Sequence, residues 1–306
     1  MNRLNRLKPV LCGLFLLAVS NVALAQATAA KVTADGATLK KVASGLMFTE
    51  GPAADDQGNV YFTDQPNDQI LFYDFAADKV QTWLQPCGRS NGLYFGSQPR
   101  ARLIACADEK NELWSIDLDT KEHEVLAKGF EGRDMSGPND CWVDRDGSIY
   151  FTDPLYQRPY WTKKFPDNHP RSVFRVTSDG NVTRVASDLT QPNGIIGDAK
   201  RRQLYVADID AKTVYRYSIA EDGSLNDKKV FCKMGSDGLT IDEQRNVYLT
   251  NNEGVTVFNS EGEKVQTIDV PEGWTANVTF AGSQKKHLFI TASKSAYVIE
   301  MNVAGL

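Results

Sequence analysis

The chain has 306 residues, 42% hydrophobic and 10% aromatic, and its 34 basic and 39 acidic side chains leave a net charge of −5. That mild acidity, with no sizeable Lys/Arg cluster, excludes the basic face that neutralising phosphates requires, so nucleic acid is not an expected partner. Twenty-three glycines suit a protein rich in turns.

In chain order, Arg3, Arg6 and Lys8 precede an apolar run from Pro9 to about Val19, and Ala23-Leu24-Ala25 supplies small residues before Gln26. This layout predicts a cleavable secretory signal peptide over residues 1–25, cut after Ala25. The apolar run is shorter than the ~20 residues of a membrane span. The mature protein is therefore expected in the periplasm or outside the cell, with no membrane attachment. Residues 26–36 read as a short disordered lead, and residues 37–306 as a single domain.

Within that domain an acidic or amide residue recurs at the mouth of each of six similar segments: Glu50, Asn91, Asn139, Asn193, Asp237 and Asn277. The intervals are 41, 48, 54, 44 and 40 residues. Each anchor is followed 14 to 17 residues later by the end of an apolar strand: YFTD, LIACAD, YFTD, YVAD, YLTN and FITA. A third strand follows (ILFYDF, ELWSIDL, SVFRVTS, TVYRYSI, VTVFNS, AYVIEM), with Asp/Gly turns between alternating runs, the antiparallel hairpin signal. Repeats of 40 to 50 residues with four short strands predict an all-β fold, a six-bladed β-propeller.

Fourth strands are present in five segments (VQTWLQ, HEVLAKG, VTRVASD, KKVFCKM, VQTIDVP) and missing from the sixth. LKKVASG at 39–45 has the same character, so an N-terminal strand is expected to complete the last blade and close the ring, removing exposed edges. Loss of residues 37 to 46 should then cost more than their length suggests.

In a propeller the innermost strand of every blade lines one axis, so the six anchors converge. The converging set is two carboxylates and four amides, all hard oxygen donors. Such a cage suits Ca²⁺, whereas zinc favours His or Cys, and the three histidines, His123, His169 and His287, are scattered. Taken one at a time, Asn-Gly and Asp-Gly pairs are ordinary turn dipeptides; their equivalent placement in several blades favours a metal.

The anchor peptides FTEGP (48–52), RSNGL (89–93), GPND (137–140), QPNGI (191–195), SDGL (236–239) and ANVTF (276–280), together with the YFTD strands, resemble the SMP-30/gluconolactonase/LRE-like family of six-bladed, divalent-metal-dependent lactonases. The resemblance covers essentially the whole mature chain. It implies metal binding by Glu50, Asn193 and Asp237, and by Asn139 either directly or through water or substrate. It implies a divalent cation, Ca²⁺ first, with Zn²⁺, Mg²⁺ or Mn²⁺ as alternatives. It implies hydrolysis of a sugar lactone, with Asp237 as general base or nucleophile. The family often carries Arg two residues before the ND asparagine; Gly137 stands there, so recognition of sugar hydroxyls is expected to differ.

Further candidates come from the residues themselves. Arg89 and Asn91 are read as substrate contacts at the channel mouth. The longest insertion, PLYQRPYWTKKFPDNHP (154–170), is read as a lid or substrate wall, with Tyr156 and Trp161 facing substrate. Gly88-Arg89-Ser90-Asn91-Gly92 fits the serine-hydrolase elbow, but no helix follows it, so Ser90 is not expected to be a nucleophile. Asp64 and Asp153 are expected to bond loop backbone, and Trp274 either edges the pocket or packs the core. Four cysteines remain after signal removal, and one disulfide is permitted, with Cys106 and Cys232 read as buried thiols. A monomer is the default. Beside the lactonase reading stand two others: a phosphotriesterase-like or other esterase on the same cage, and a non-catalytic propeller holding calcium structurally while binding a carbohydrate or protein.

Overall fold

The computed structural model describes residues 31–96 and 102–306, and among them there is no α-helix, only strands and two short 3-10 turns. Six four-stranded antiparallel sheets form the six blades. Their innermost strands are Thr49–Ala54, Ser90–Gly96, Cys141–Val143, Pro192–Asp198, Leu239–Ile241 and Thr275–Ala281. Each packs against the innermost strand of the next blade, and the sixth packs against the first.

The second strand of each blade is buried along its whole length, as in Val60–Asp64, Ile149–Asp153 and Val247–Asn251, or in all but its first residue. Both its faces meet neighbouring blades, which explains why these segments are continuous apolar runs rather than alternating ones. The fourth strands, for example Lys79–Leu84 and Val182–Ala186, sit at the rim and alternate between part-buried and exposed. The apolar clusters therefore lie between blades. Val60, Phe62 and Tyr73 of blade 1 pack on Phe289 and Val298 of blade 6, and equivalent clusters fill the other spaces. A chain of this length escapes the single-core limit by stacking such units.

The last blade is completed from the other end of the domain: Lys40–Ala43 pairs antiparallel with Ser295–Glu300, Lys40 opposite Val298 and Ala43 opposite Ala296. The expectation of a disordered lead does not hold for residues 31–36. Val32 is buried, its N–H donates to Gln266 Oε1 at 3.0 Å, Thr33 bridges to Met301, and Ala34 N–H donates to Glu300 O at 3.0 Å. The physical reason is the free edge beyond blades 5 and 6, where one valine joins Val255, Ile268 and Ile299. The predicted signal peptide, residues 1–25, and residues 26–30 lie outside the described residues. A two-stranded hairpin, Gly129–Phe130 with Arg133–Asp134, precedes blade 3 and was not anticipated. The four cysteines after residue 30 are free and buried.

Candidate active site

In four blades the anchor sits in a β-bulge. Register shifts fall at Glu50/Ala53, Ser90/Leu93, Pro192/Ile195 and Thr275/Asn277 in the innermost strands. A bulge re-aims a side chain that regular pleating would send into the sheet. In blades 3 and 5 the anchors Asn139 and Asp237 directly precede their strands, and each is held by its N–H donating to the second strand, Asn139 to Thr152 O and Asp237 to Thr250 O, both at 2.9 Å.

Links between blades then set the ring. Thr63 Oγ1 donates to Asn91 O at 3.0 Å, Thr152 Oγ1 to Asn193 O at 2.7 Å, Thr250 Oγ1 to Ala276 O at 2.7 Å, and Gly92 N–H to Asn139 O at 2.7 Å. The threonines are the T of the YFTD-type strands, so the repeated motif is a fastening between blades. Close approach demands a missing side chain: a Cβ on Gly238 would lie 2.1 Å from Asn277 Oδ1.

Glu50, Asn139, Asn193 and Asp237 are all buried. Burial pushes the Glu50 carboxyl well above its ordinary range, and the neighbouring Asp237 and Asp140 carboxylates push it the same way. Burial likewise raises Asp237 to about 6, against the lowering influence of Trp274, Asn193 and Arg158. Each acid has hydrogen-bond donors: Gly51 N–H reaches Glu50 Oε2 at 2.9 Å, and Trp274 Nε1 reaches Asp237 Oδ2 at 2.6 Å. No ion pair to Glu50 or Asp237 occurs among the described residues. Buried like charges are costly without a compensating cation.

This donor chemistry fits a hard cation. No group of three or more His, Cys, Asp or Glu among the described residues forms a metal site; a cation here would rest on Glu50 and Asp237 with the amide oxygens of Asn139 and Asn193. Asn193 Nδ2 donates to Tyr156 Oη at 2.8 Å. The amide of Asn277 serves otherwise: its Oδ1 accepts from Val278 N–H at 2.8 Å and its Nδ2 reaches Asp140 Oδ2 at 3.3 Å.

Asp140 is the acid that the sequence reading passed over. It is buried, pushed up to about 7 by burial, and held by Cys141 N–H at 3.0 Å and by Asn277. Its signal was present in the ND pair, where only the asparagine was read as functional. Below it, Asp140 and Asn277 top an axial cavity of about 490 Å³ that runs past Tyr94, Trp142 and Phe280 to Asp55 and Lys285. None of Glu50, Asn139, Asn193 and Asp237 lines it, so this cavity is separate from the proposed substrate face.

The insertion between the second and third strands of blade 3 reaches both neighbouring blades. Tyr156 meets Asn193 of blade 4, whereas Arg158, Tyr160 and Trp161 all bond Asp108 of blade 2. Trp161 is buried with Nε1 on Asp108 O at 2.8 Å. Asn91 is buried on blade 2 beside Gly51. Arg89 lies at the rim: it donates from Nη1 to Pro66 O, its Nε is 3.6 Å from Glu109, and it stacks 4.7 Å from the Tyr160 ring centroid. Trp274 belongs to the site through Asp237.

Ser90 is buried with its hydroxyl donating to Cys87 O at 2.6 Å on a β-strand, which leaves no serine-nucleophile geometry. Asp64 accepts from Met47 and Phe48 N–H, and Asp153 from Ser136 N–H, as expected. The histidines pack on aromatics: His123 on Trp114, His169 on Phe165 and His287 on Phe75.

Residues 48–294 match the family model described as the SMP-30/Gluconolactonase/LRE-like region. A gluconolactonase of Zymomonas mobilis subsp. mobilis is 24% identical over 294 residues, 87% of this chain and 82% of the relative. The diisopropyl-fluorophosphatase of Loligo vulgaris is 27% identical over 276 residues, 82% of this chain and 87% of the relative. A solved gluconolactonase of Xanthomonas campestris superposes with a TM-score of 0.80 at 26% identity, covering 88% of this chain and 91% of that one.

Proposed function

The chain belongs to the SMP-30/gluconolactonase/LRE-like family, and from that footing we propose that it is a metal-dependent lactone hydrolase opening a sugar lactone to its aldonic acid. The observation that carries the reading is the pair of neighbouring buried carboxylates, Glu50 and Asp237, with no ion-pair partner among the described residues, alongside the buried amides Asn139 and Asn193 at the matching positions of two other blades. A divalent cation bound by these four residues supplies Lewis-acid polarisation of the lactone carbonyl.

The chain's own groups do the rest. Asp237 has its Oδ2 fixed by the Trp274 indole, which orients the carboxylate; it acts as general base, or attacks directly as nucleophile. Asn193 and Tyr156 hold one another across the mouth, and the insertion screens the site from water. Secretion to the periplasm or exterior, with cleavage after Ala25, belongs to the same proposal, and the mass of the mature protein from its native host tests it.

The deciding experiment is hydrolysis of a lactone panel, led by glucono-1,5-lactone, after chelation and again after adding back Ca²⁺, Mg²⁺, Mn²⁺ or Zn²⁺. Turnover should return with metal and fall about 10²–10⁴-fold in Glu50→Gln and Asp237→Asn. Absence of turnover on every lactone, with the cation still bound, would overturn the reading. The similarity to a fluorophosphatase over most of the chain favours one second reading, phosphotriester hydrolysis on the same cage. A phosphotriester in the panel separates the two. A silent panel would leave the calcium-holding binding propeller.

A further inference from the structure

Asp108 stands where the other blades use a carboxylate to tie down their own loop, as Asp64, Asp153 and Asp208 do. Here it serves the insertion instead. Its Oδ2 accepts from Gln65 Nε2 at 3.2 Å, from Tyr160 Oη and from Arg158 Nε at 3.2 Å, while its carbonyl takes the Trp161 indole N–H. Tyr160 and Trp161 also seat the insertion on blade 2 through the same residue. Arg158 spends only Nε on Asp108; among the described residues neither Nη has a hydrogen-bond acceptor, and the guanidinium lies 5.2 Å from the centroid of Tyr156, whose hydroxyl is bonded to Asn193.

The same insertion closes the other source of a cation at this mouth. A Cβ on Gly137 would fall 2.6 Å from Asp108 Oδ1 and 2.7 Å from the Trp161 ring, and φ there is +108°. The segment carrying Asn139 therefore presents no side chain two residues before it, and the charged group comes from the insertion.

Resting on the lactonase reading above, we propose that Arg158 is a specificity residue, its open Nη pair receiving an anionic group carried by the lactone away from the reacting carbonyl. A planar, always-charged fork suits a carboxylate or phosphate, which it can grip with two parallel bonds. Its position beside Tyr156 sets that anion one side chain away from Asn193 and hence from the reacting centre. The positive charge also offsets the repulsion that the buried acids would exert on an anionic substrate. The enzyme should consequently favour an acidic or phosphorylated sugar lactone over the neutral one.

The test compares glucono-1,5-lactone with 6-phosphoglucono-1,5-lactone, which differ only in the phosphate, in wild type, Arg158→Ala and Arg158→Lys. Wild type should prefer the phosphorylated lactone. Arg158→Ala should lose about 10- to 100-fold more in kcat/KM on it than on the neutral lactone, mainly through KM, and Arg158→Lys should recover part of that difference. Equal losses on both substrates, or no preference in wild type, would overturn the proposal. Should neither lactone turn over, the lactonase reading fails, and calorimetric titration of 6-phosphogluconate against gluconate still reads the arginine: tighter binding of the phosphate that disappears in Arg158→Ala supports it, and equal binding refutes it.

Discussion

Asp153 and Glu50 are both buried acids, yet their neighbours give them different fates. Glu50 faces other carboxylates, and its burial makes sense beside a cation. Asp153 faces Ser136 N–H, which its two oxygens share at 2.9 Å, and burial raises it to about 7. A folded-state value above the unfolded ~4 means the native protein holds this proton longer than the unfolded chain does. The contribution to stability is therefore complete below about pH 4, lost progressively as pH rises towards 7, and flat above. Asp153→Asn keeps an acceptor for Ser136 and removes the titration, so its Tm should fall less between pH 4 and 8 than that of wild type. Parallel Tm curves would show that Asp153 does not titrate in this window. The equivalent, buried placement of Glu50, Asn139, Asn193 and Asp237 was legible because each stands in a short Gly- or Pro-flanked peptide at a nearly constant offset from its strand. Asp140 was hidden by its neighbour and Arg158 by distance, since what it touches lies 50 residues away, and Trp274, read as pocket edge or core, could not be decided because Asp237 lies 37 residues away.

At the scale of elements, the strands were readable because each blade position has its own burial pattern, from the fully buried second strand to the half-exposed fourth. The closing strand was readable for the complementary reason: five fourth strands and six third strands require a loan from the other terminus. Residues 31–36 gave no such pattern, because their order comes from a distant edge, Val32 on Gln266 and Thr33 on Met301. The hairpin at 129–134 has strands of two residues, too short for any alternation to register. Lys40–Ala43 covers the edge of Ser295–Glu300, so the two stretches predict a graded truncation series. Removing residues 1–30 should leave Tm unchanged. Removing residues 1–46 exposes the whole edge and should lower Tm by several degrees with concentration-dependent aggregation. An equally stable, monodisperse shorter form would mean that the ring closes without this strand.

At the scale of the molecule, the ring has two ends with different physics. The upper end gathers the site acids under the insertion. The lower end carries the turns of the inner hairpins, and there an aspartate of one blade is gripped by an arginine of the next: Asp144 by Arg202, and Asp198 by Arg245, Nε to Oδ2 at 2.6 Å. Asp198 is fully buried, and besides Arg245 it accepts Lys200 and Arg201 N–H at 3.0 Å each. Losing one partner of a buried pair costs about 3–5 kcal/mol when the other is left bare. Here the two backbone donors remain, so the smaller figure for a hydrogen bond to a charged group, about 1.5–3 kcal/mol, should govern Arg245→Ala. Because the blades share their clusters all round the ring, the loss should appear as an earlier single urea transition with an unchanged slope. A second transition would instead mean that blades 4 and 5 unfold apart from the rest. Lactone turnover should persist in the folded variant, since the pair lies at the far end of the axial cavity from Glu50 and Asp237. A large fall in kcat without unfolding would show that the lower rim sets the geometry of the upper one.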